Sequence, residues 1–128
     1  MPPSPSRTKS KARIKAYLGG HRGEALAAWY LRLKFYRILA RRYKTPVGEI
    51  DLIASRFGVT VFVEVKARTS ARDELATLES INHRRIIAAA DYWLARHPRK
   101  ANGDMRFDVI FLAHGHWPRH ISNAFDAS

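Results

Sequence analysis

Between Gly48 and Arg68 the chain sets ionisable side chains into apolar strand sequence, and few folds tolerate that. Gly48–Ala54 reads as one strand, Ser55–Gly58 as a turn, and Thr60–Ala67 as a valine-rich returning strand. The spacing therefore predicts a β-hairpin. Period-two alternation puts Val61, Val63 and Val65 on one face and Phe62, Glu64 and Lys66 on the other. Asp51, between Ile50 and Leu52, is equally out of place. Ionised groups beside a core are costly unless they are paired, hydrated or bound to metal. Two acids and a lysine on neighbouring strands can hold a divalent cation and act on a phosphodiester. The competing reading is a partly buried ion-pair network without chemistry.

Charge narrows the choice of partner. Across 128 residues the formal net charge is +12, which points to a polyanion, nucleic acid above all. A basic protein without such a partner, or one that meets anionic lipid, is the alternative. Hydrophobic residues make up 46% of the chain, enough for one domain with a real core. There is no cysteine, which excludes disulfides, thiolate metal sites and cysteine catalysis. No apolar run reaches membrane-spanning length and no signal-peptide core follows the basic start, so a cytoplasmic, membrane-free protein is expected.

The pattern Asp51…Glu64-Val65-Lys66 has the form D-(x)n-E-x-K. It resembles the PD-(D/E)xK nuclease superfamily, the restriction-endonuclease-like fold. More closely, the chain resembles the YraN-type family of bacterial proteins, predicted endonucleases related to archaeal Holliday-junction resolvases. Four blocks carry the likeness: Gly23-Glu24-x-x-Ala27, Gly48-Glu49-Ile50-Asp51-Leu52-Ile53, Phe62-Val63-Glu64-Val65-Lys66-Ala67-Arg68 and Arg106-Phe107-Asp108-Val109. It extends from about Gly20 to Phe125. The resemblance implies an α/β core of order αβββαβ, a mixed central sheet flanked by helices. It also implies a Mg²⁺ or Mn²⁺ site made by Asp51, Glu64 and the carbonyl of Val65, with Lys66 catalytic, orienting the attacking water or stabilising charge that develops on the phosphate. Junction-cleaving relatives work as dimers, so a homodimer stays open.

Met1–Lys15, with three prolines, five basic residues and no acid, reads as a disordered basic arm ahead of a single domain over 16–128. Gly23 to about Lys34 is expected to be the first helix, with Glu24 on the face of Ala27, Ala28 and Leu31. A helix dipole explains an acid at this end but not on this face. The resemblance makes Glu24 functional, as an acid completing the metal site. Phe35–Tyr43 is expected as a strand, and Pro46 as an interruption before the hairpin. Glu49 shares the face of Asp51 and reads better as a solvated strand-end charge than as an auxiliary ligand.

Thr69–Glu79 is expected to be a polar connection, followed by a helix from about Ser80 to His97. Its buried stripe is Ile86, Ala90, Trp93 and Leu94, with Trp93 in the core. Asn82 continues that stripe, pointing at the sheet, where the family usually has a lysine. His83, Arg84 or Arg85 is available to substitute, and Arg68, Arg84 and Arg85 are candidate nucleic-acid contacts. Met105–Ala113 is a further strand on which Arg106 and Asp108 form a structural pair, and Ile121–Phe125 closes the sheet edge or packs under it. His114, His116 and His120 lack the fixed spacing of a zinc site. The expected function is metal-dependent cleavage of DNA, at branched or distorted structures. The alternatives are a non-catalytic nucleic-acid-binding module and a structural or regulatory protein with a protein partner.

Overall fold

A computed structural model describes residues 21–68 and 71–127; the basic arm lies outside them. The elements are α1 (His21–Leu33), β1 (Arg37–Thr45), β2 (Gly48–Arg56), β3 (Val59–Ala67), α2 (Ala71–Ser80), α3 (His83–Ala95), α4 (Pro98–Ala101), β4 (Asp104–Leu112) and β5 (Arg119–Phe125). The strands form one five-stranded sheet in sequence order. Three pairings are antiparallel, while β3 and β4 run parallel. A parallel pair needs a crossover, and α2, α3 and α4 supply it. This α/β sheet flanked by helices is compatible with a restriction-endonuclease-like core, and the expected αβββαβ order is embedded in it.

Alternation along β3 divides the core into two layers. Val61, Val63 and Val65 pack with Leu52, Ile110 and Leu112 under Ala27, Ala28 and Leu31 of α1. On the other face Phe62, Ile53 and Phe107 meet Ile86, Ala89, Ala90 and Trp93 of α3. Trp93 stands edge-on to Phe62 with ring centres 5.9 Å apart, as a core residue. β5 closes the sheet edge, and Phe125 is held between His83, at 4.1 Å, and Phe107, at 5.0 Å. The β4–β5 connection is pinned to α1 by Trp117 stacked on Trp29.

Four local expectations are corrected. Phe35 is not strand: it follows α1 at φ 68°, in the left-handed position of a C-terminal cap. Tyr36 N–H bonds to Leu31 C=O and Phe35 N–H to Arg32 C=O, the paired bonds of a Schellman motif. β2 runs on to Arg56, so the turn is only Phe57-Gly58, with φ 51° and 80°. The polar connection contains a helix, α2, with Asp73 and Glu74 in its first turn, where acids complement the helix dipole. Finally, α3 starts at His83, because Asn82 is its N-cap and accepts from Arg85 N–H at 3.3 Å. Asn82 thus terminates the buried stripe rather than continuing it, and Pro98 opens a helix of its own.

Gly48 is required where it stands. A Cβ there would lie 2.3 Å from the carbonyl oxygen of Arg85, so only glycine lets β2 meet the first turn of α3.

Candidate active site

The site is built where the central hairpin parts. Cross-strand pairing of β2 with β3 runs from Arg56↔Val59 to Leu52↔Val63. Beyond that point the Asp51 side chain occupies the gap, accepting the Val65 N–H at 2.8 Å through Oδ2. A carboxylate thus replaces a backbone acceptor and fixes Asp51 beside the E-x-K strand. The Glu64 carboxyl hydrogen-bonds to Asp51, so the two acids converge. Burial, with the hydrogen bond to Asp51 and its charge, pushes Glu64 up to about 9 against the pull of Lys66. The Lys66 ammonium lies 3.7 Å from Glu64 Oε1 and its side chain is 40% exposed, free to reach a bound group.

Two adjoining depressions of about 340 and 360 Å³ open over these residues. Glu49, Glu64 and Lys66 line both; Asp51, Val65 and Thr77 complete one, Asn82 and Arg85 the other. Glu49 is exposed, as expected of a strand-end charge, and stands on the rim of the cleft. Asn82 lines the cleft although its amide caps α3, and Arg85 is the cation that α3 contributes.

The other sequence candidates lie apart. Glu24 is on the buried face of α1, its carboxylate paired with Arg41, and it does not line the cleft. Arg68 is mostly covered, with Nε 2.8 Å from Glu74 Oε2 but out of line for a hydrogen bond. Glu74 also pairs with Arg119 at 2.8 Å, so α2 is tied between β3 and β5. Arg84 is exposed on the first turn of α3. Among the described residues no group of three or more His, Cys, Asp or Glu is placed to hold a metal.

Across the sheet lies a polar cluster that the sequence disclosed only in part. Arg106 grips Asp108 with two bonds of 2.8 Å, the expected pair. His120 Nε2 is 2.6 Å from the same carboxylate and Nδ1 is 2.7 Å from Lys34 Nζ. Asn123 N–H and the Tyr36 hydroxyl complete the cluster. Burial alone would raise Asp108, but the bonds from His120, Arg106 and Asn123 prevail and hold it below the usual carboxylate range. Burial, with Arg56 nearby, lowers Lys34. His114 and His116 are exposed and do not join His120.

A mixed α/β sheet flanked by helices, with paired acids and a lysine at a split hairpin, is compatible with a restriction-endonuclease-like core. The chain belongs to the UPF0102 family, described as an uncharacterised protein family, whose pattern matches residues 23–112. It is 53% identical to UPF0102 protein mlr4633 of Mesorhizobium japonicum, over 91% of this chain and 93% of that one. UPF0102 protein BRADO0179 of a Bradyrhizobium species is 48% identical over 98% of this chain and 89% of its own. UPF0102 protein RPA0323 of Rhodopseudomonas palustris is 50% identical over 91% and 90%.

The raised Glu64 carboxyl gives a sign that can be checked without substrate. A carboxyl raised when folded contributes stability below its unfolded value, near 4.5, and loses it progressively up to about 9. Glu64→Gln keeps a neutral group in place at every pH. In EDTA this variant should melt above wild type at pH 8, with the gap closing toward pH 4.5. Parallel pH profiles of the two melting temperatures would contradict the raised carboxyl.

Proposed function

We propose that the protein is a metal-dependent nuclease that hydrolyses DNA phosphodiesters, with branched or distorted DNA as its preferred substrate. One observation carries the reading: Asp51 and Glu64 meet at the parting of β2 and β3, with Lys66 beside them. Paired carboxylates fit a hard cation, whose positive charge would replace the proton on Glu64. Asp51 and Glu64 would hold Mg²⁺ or Mn²⁺, with the carbonyl of Val65 as a further oxygen donor. The chemistry that a bound cation supplies in such a site is polarisation of the scissile phosphate and acidification of the attacking water. Lys66 orients that water or stabilises charge growing on the phosphate. Arg85, facing the same cleft, draws the phosphate in, and exposed Arg84 extends the basic surface. Glu24 supports the site from a distance, by pairing with Arg41 of β1, the strand next to β2.

The competing reading is a nucleic-acid-binding module without catalysis. It draws on the same raised Glu64 carboxyl, because an acid that holds its proton is stable beside Asp51 without a cation. No helix among the described residues is long and apolar enough to cross a membrane.

Cleavage decides between the two. Single-turnover assays should use linear, flapped, single-stranded and four-way-junction DNA with Mg²⁺, Mn²⁺ or EDTA. At least one substrate should be cut with cation and none in EDTA. Asp51→Asn should lose both cleavage and the rise in melting temperature that Mn²⁺ gives wild type. If the wild type cuts none of the four with either cation, the binding module is the better account.

A further inference from the structure

Two phenylalanines occupy positions that favour glycine or asparagine, and both point into water. Phe35 takes the left-handed place of the α1 cap at φ 68°, and its exposure is 83%. Phe57 takes the first place of the β2–β3 turn at φ 51°, and its exposure is 87%. A bulky residue at positive φ is an uncommon and strained choice. Neither ring gains burial in exchange. Arg37 pairs with Ser55, so the chain just before β1, which carries Phe35, and the chain just after β2, which carries Phe57, lie at the same end of the sheet. Arg56 sits between them: it donates to Lys34 C=O at 3.0 Å and lies over the Tyr36 ring at 4.2 Å and the Phe57 ring at 5.3 Å. Exposed Arg37 flanks the rings. The Pro98–Ala101 helix brings Arg99 and Lys100 past the same turn, since Gly103 lies against the Gly58 carbonyl. Asp104, paired with Val59, is an acid at this end.

We infer that Phe35 and Phe57 form a stacking platform for unpaired bases of single-stranded nucleic acid, with Arg37, Arg56, Arg99 and Lys100 along its phosphates. Every base has a π-face, so exposed rings among cations bind single strands with little regard to sequence. A folded partner protein would need a larger apolar patch than two rings edged by cations. The platform is separate from the cleft. Val59, just after the turn, is five residues from Glu64 along β3, roughly 17 Å at the rise of a strand. A branched substrate can therefore present a phosphodiester to the cleft and unpaired bases to the platform. This inference rests on nucleic acid being the partner, but not on cleavage.

The test is binding in EDTA, by fluorescence anisotropy, of a labelled oligo(dT) and an abasic oligonucleotide of equal length. Wild type should prefer the base-bearing strand. Phe57→Asn, which suits the left-handed turn, should fold at least as stably as wild type. It should nevertheless bind oligo(dT) about tenfold more weakly, with abasic binding unchanged. Phe35→Gly should act likewise. If wild type binds both strands equally, or Phe57→Asn binds oligo(dT) as wild type does, the platform is wrong and the nuclease reading stands. If neither strand binds, the nucleic-acid partner falls with it. If sedimentation shows a dimer that Phe57→Asn dissolves, the rings serve a second copy of the chain instead.

Discussion

Lys66→Met should leave the protein folded, cation-binding and DNA-bound, yet slow single-turnover cleavage by about two orders of magnitude, the scale of one electrostatic stabiliser. The side chain is 40% exposed and its ammonium stands 3.7 Å from Glu64, whose raised carboxyl holds a proton and does not depend on the lysine for its charge. Methionine keeps much of the apolar stem. Affinity should change little, because Arg85 remains in the cleft and the rest of the chain is strongly basic. Asp51→Asn differs in kind: it removes a proposed cation ligand and weakens the anchor on Val65 N–H. Separating the two variants by Mn²⁺-dependent melting and by rate therefore tells a ligand from a group that acts on the reacting atoms. A Lys66→Met protein that cuts as fast as wild type would sink the mechanism.

Asp108→Asn should lower stability by about 3–5 kcal/mol, the usual cost of breaking a buried charge pair. The carboxylate is fully covered and takes two bonds from Arg106, one from His120 and one from Asn123 N–H. An amide offers one acceptor oxygen and turns an NH₂ group toward donors. Melting temperature should fall by about 10 °C or more at pH 7. The sign with pH follows from the lowered carboxyl. Its contribution is present above the unfolded value, near 3.8, and is lost as pH falls through the depressed folded value. The gap between wild type and variant should therefore hold from pH 6 to 8 and shrink below about pH 3.8. A gap that persists unchanged in acid would assign the loss to packing. The Mn²⁺ increment should survive, since the cluster and the cleft lie on opposite faces of the sheet.

What the sequence disclosed depended on the range of the cause. Alternation over Thr60–Ala67 is local, and it sorted Val61, Val63 and Val65 from Phe62, Glu64 and Lys66 correctly. Arg106 and Asp108 are two apart on a strand, so their pairing was legible as well. His120 was not. Its partner is twelve residues away across a β4–β5 register that no local pattern encodes, and composition grouped it with His114 and His116. The helix α2 escaped because it buries little: Leu75 is exposed, and its anchor is Glu74 between Arg68 and Arg119. Asn82 misled because a helical stripe was extended a turn too far, where the amide is better used as a cap. The left-handed Phe35 and Phe57 defied turn chemistry, which expects glycine or asparagine at such places.

The contact of Gly48 with the Arg85 carbonyl sets a hard stop on one jaw of the cleft. Backbone abuts backbone there, so β2 and α3 cannot be squeezed closer, and no rotamer change can make room. The opposite jaw is α2, which contributes Thr77 and Ser80 and is moored to the sheet largely by ions. Any widening to admit a bulkier backbone must come from that side. An effort to retailor the proposed substrate range should begin at Thr77 and Ser80, leaving the braced jaw as the fixed reference.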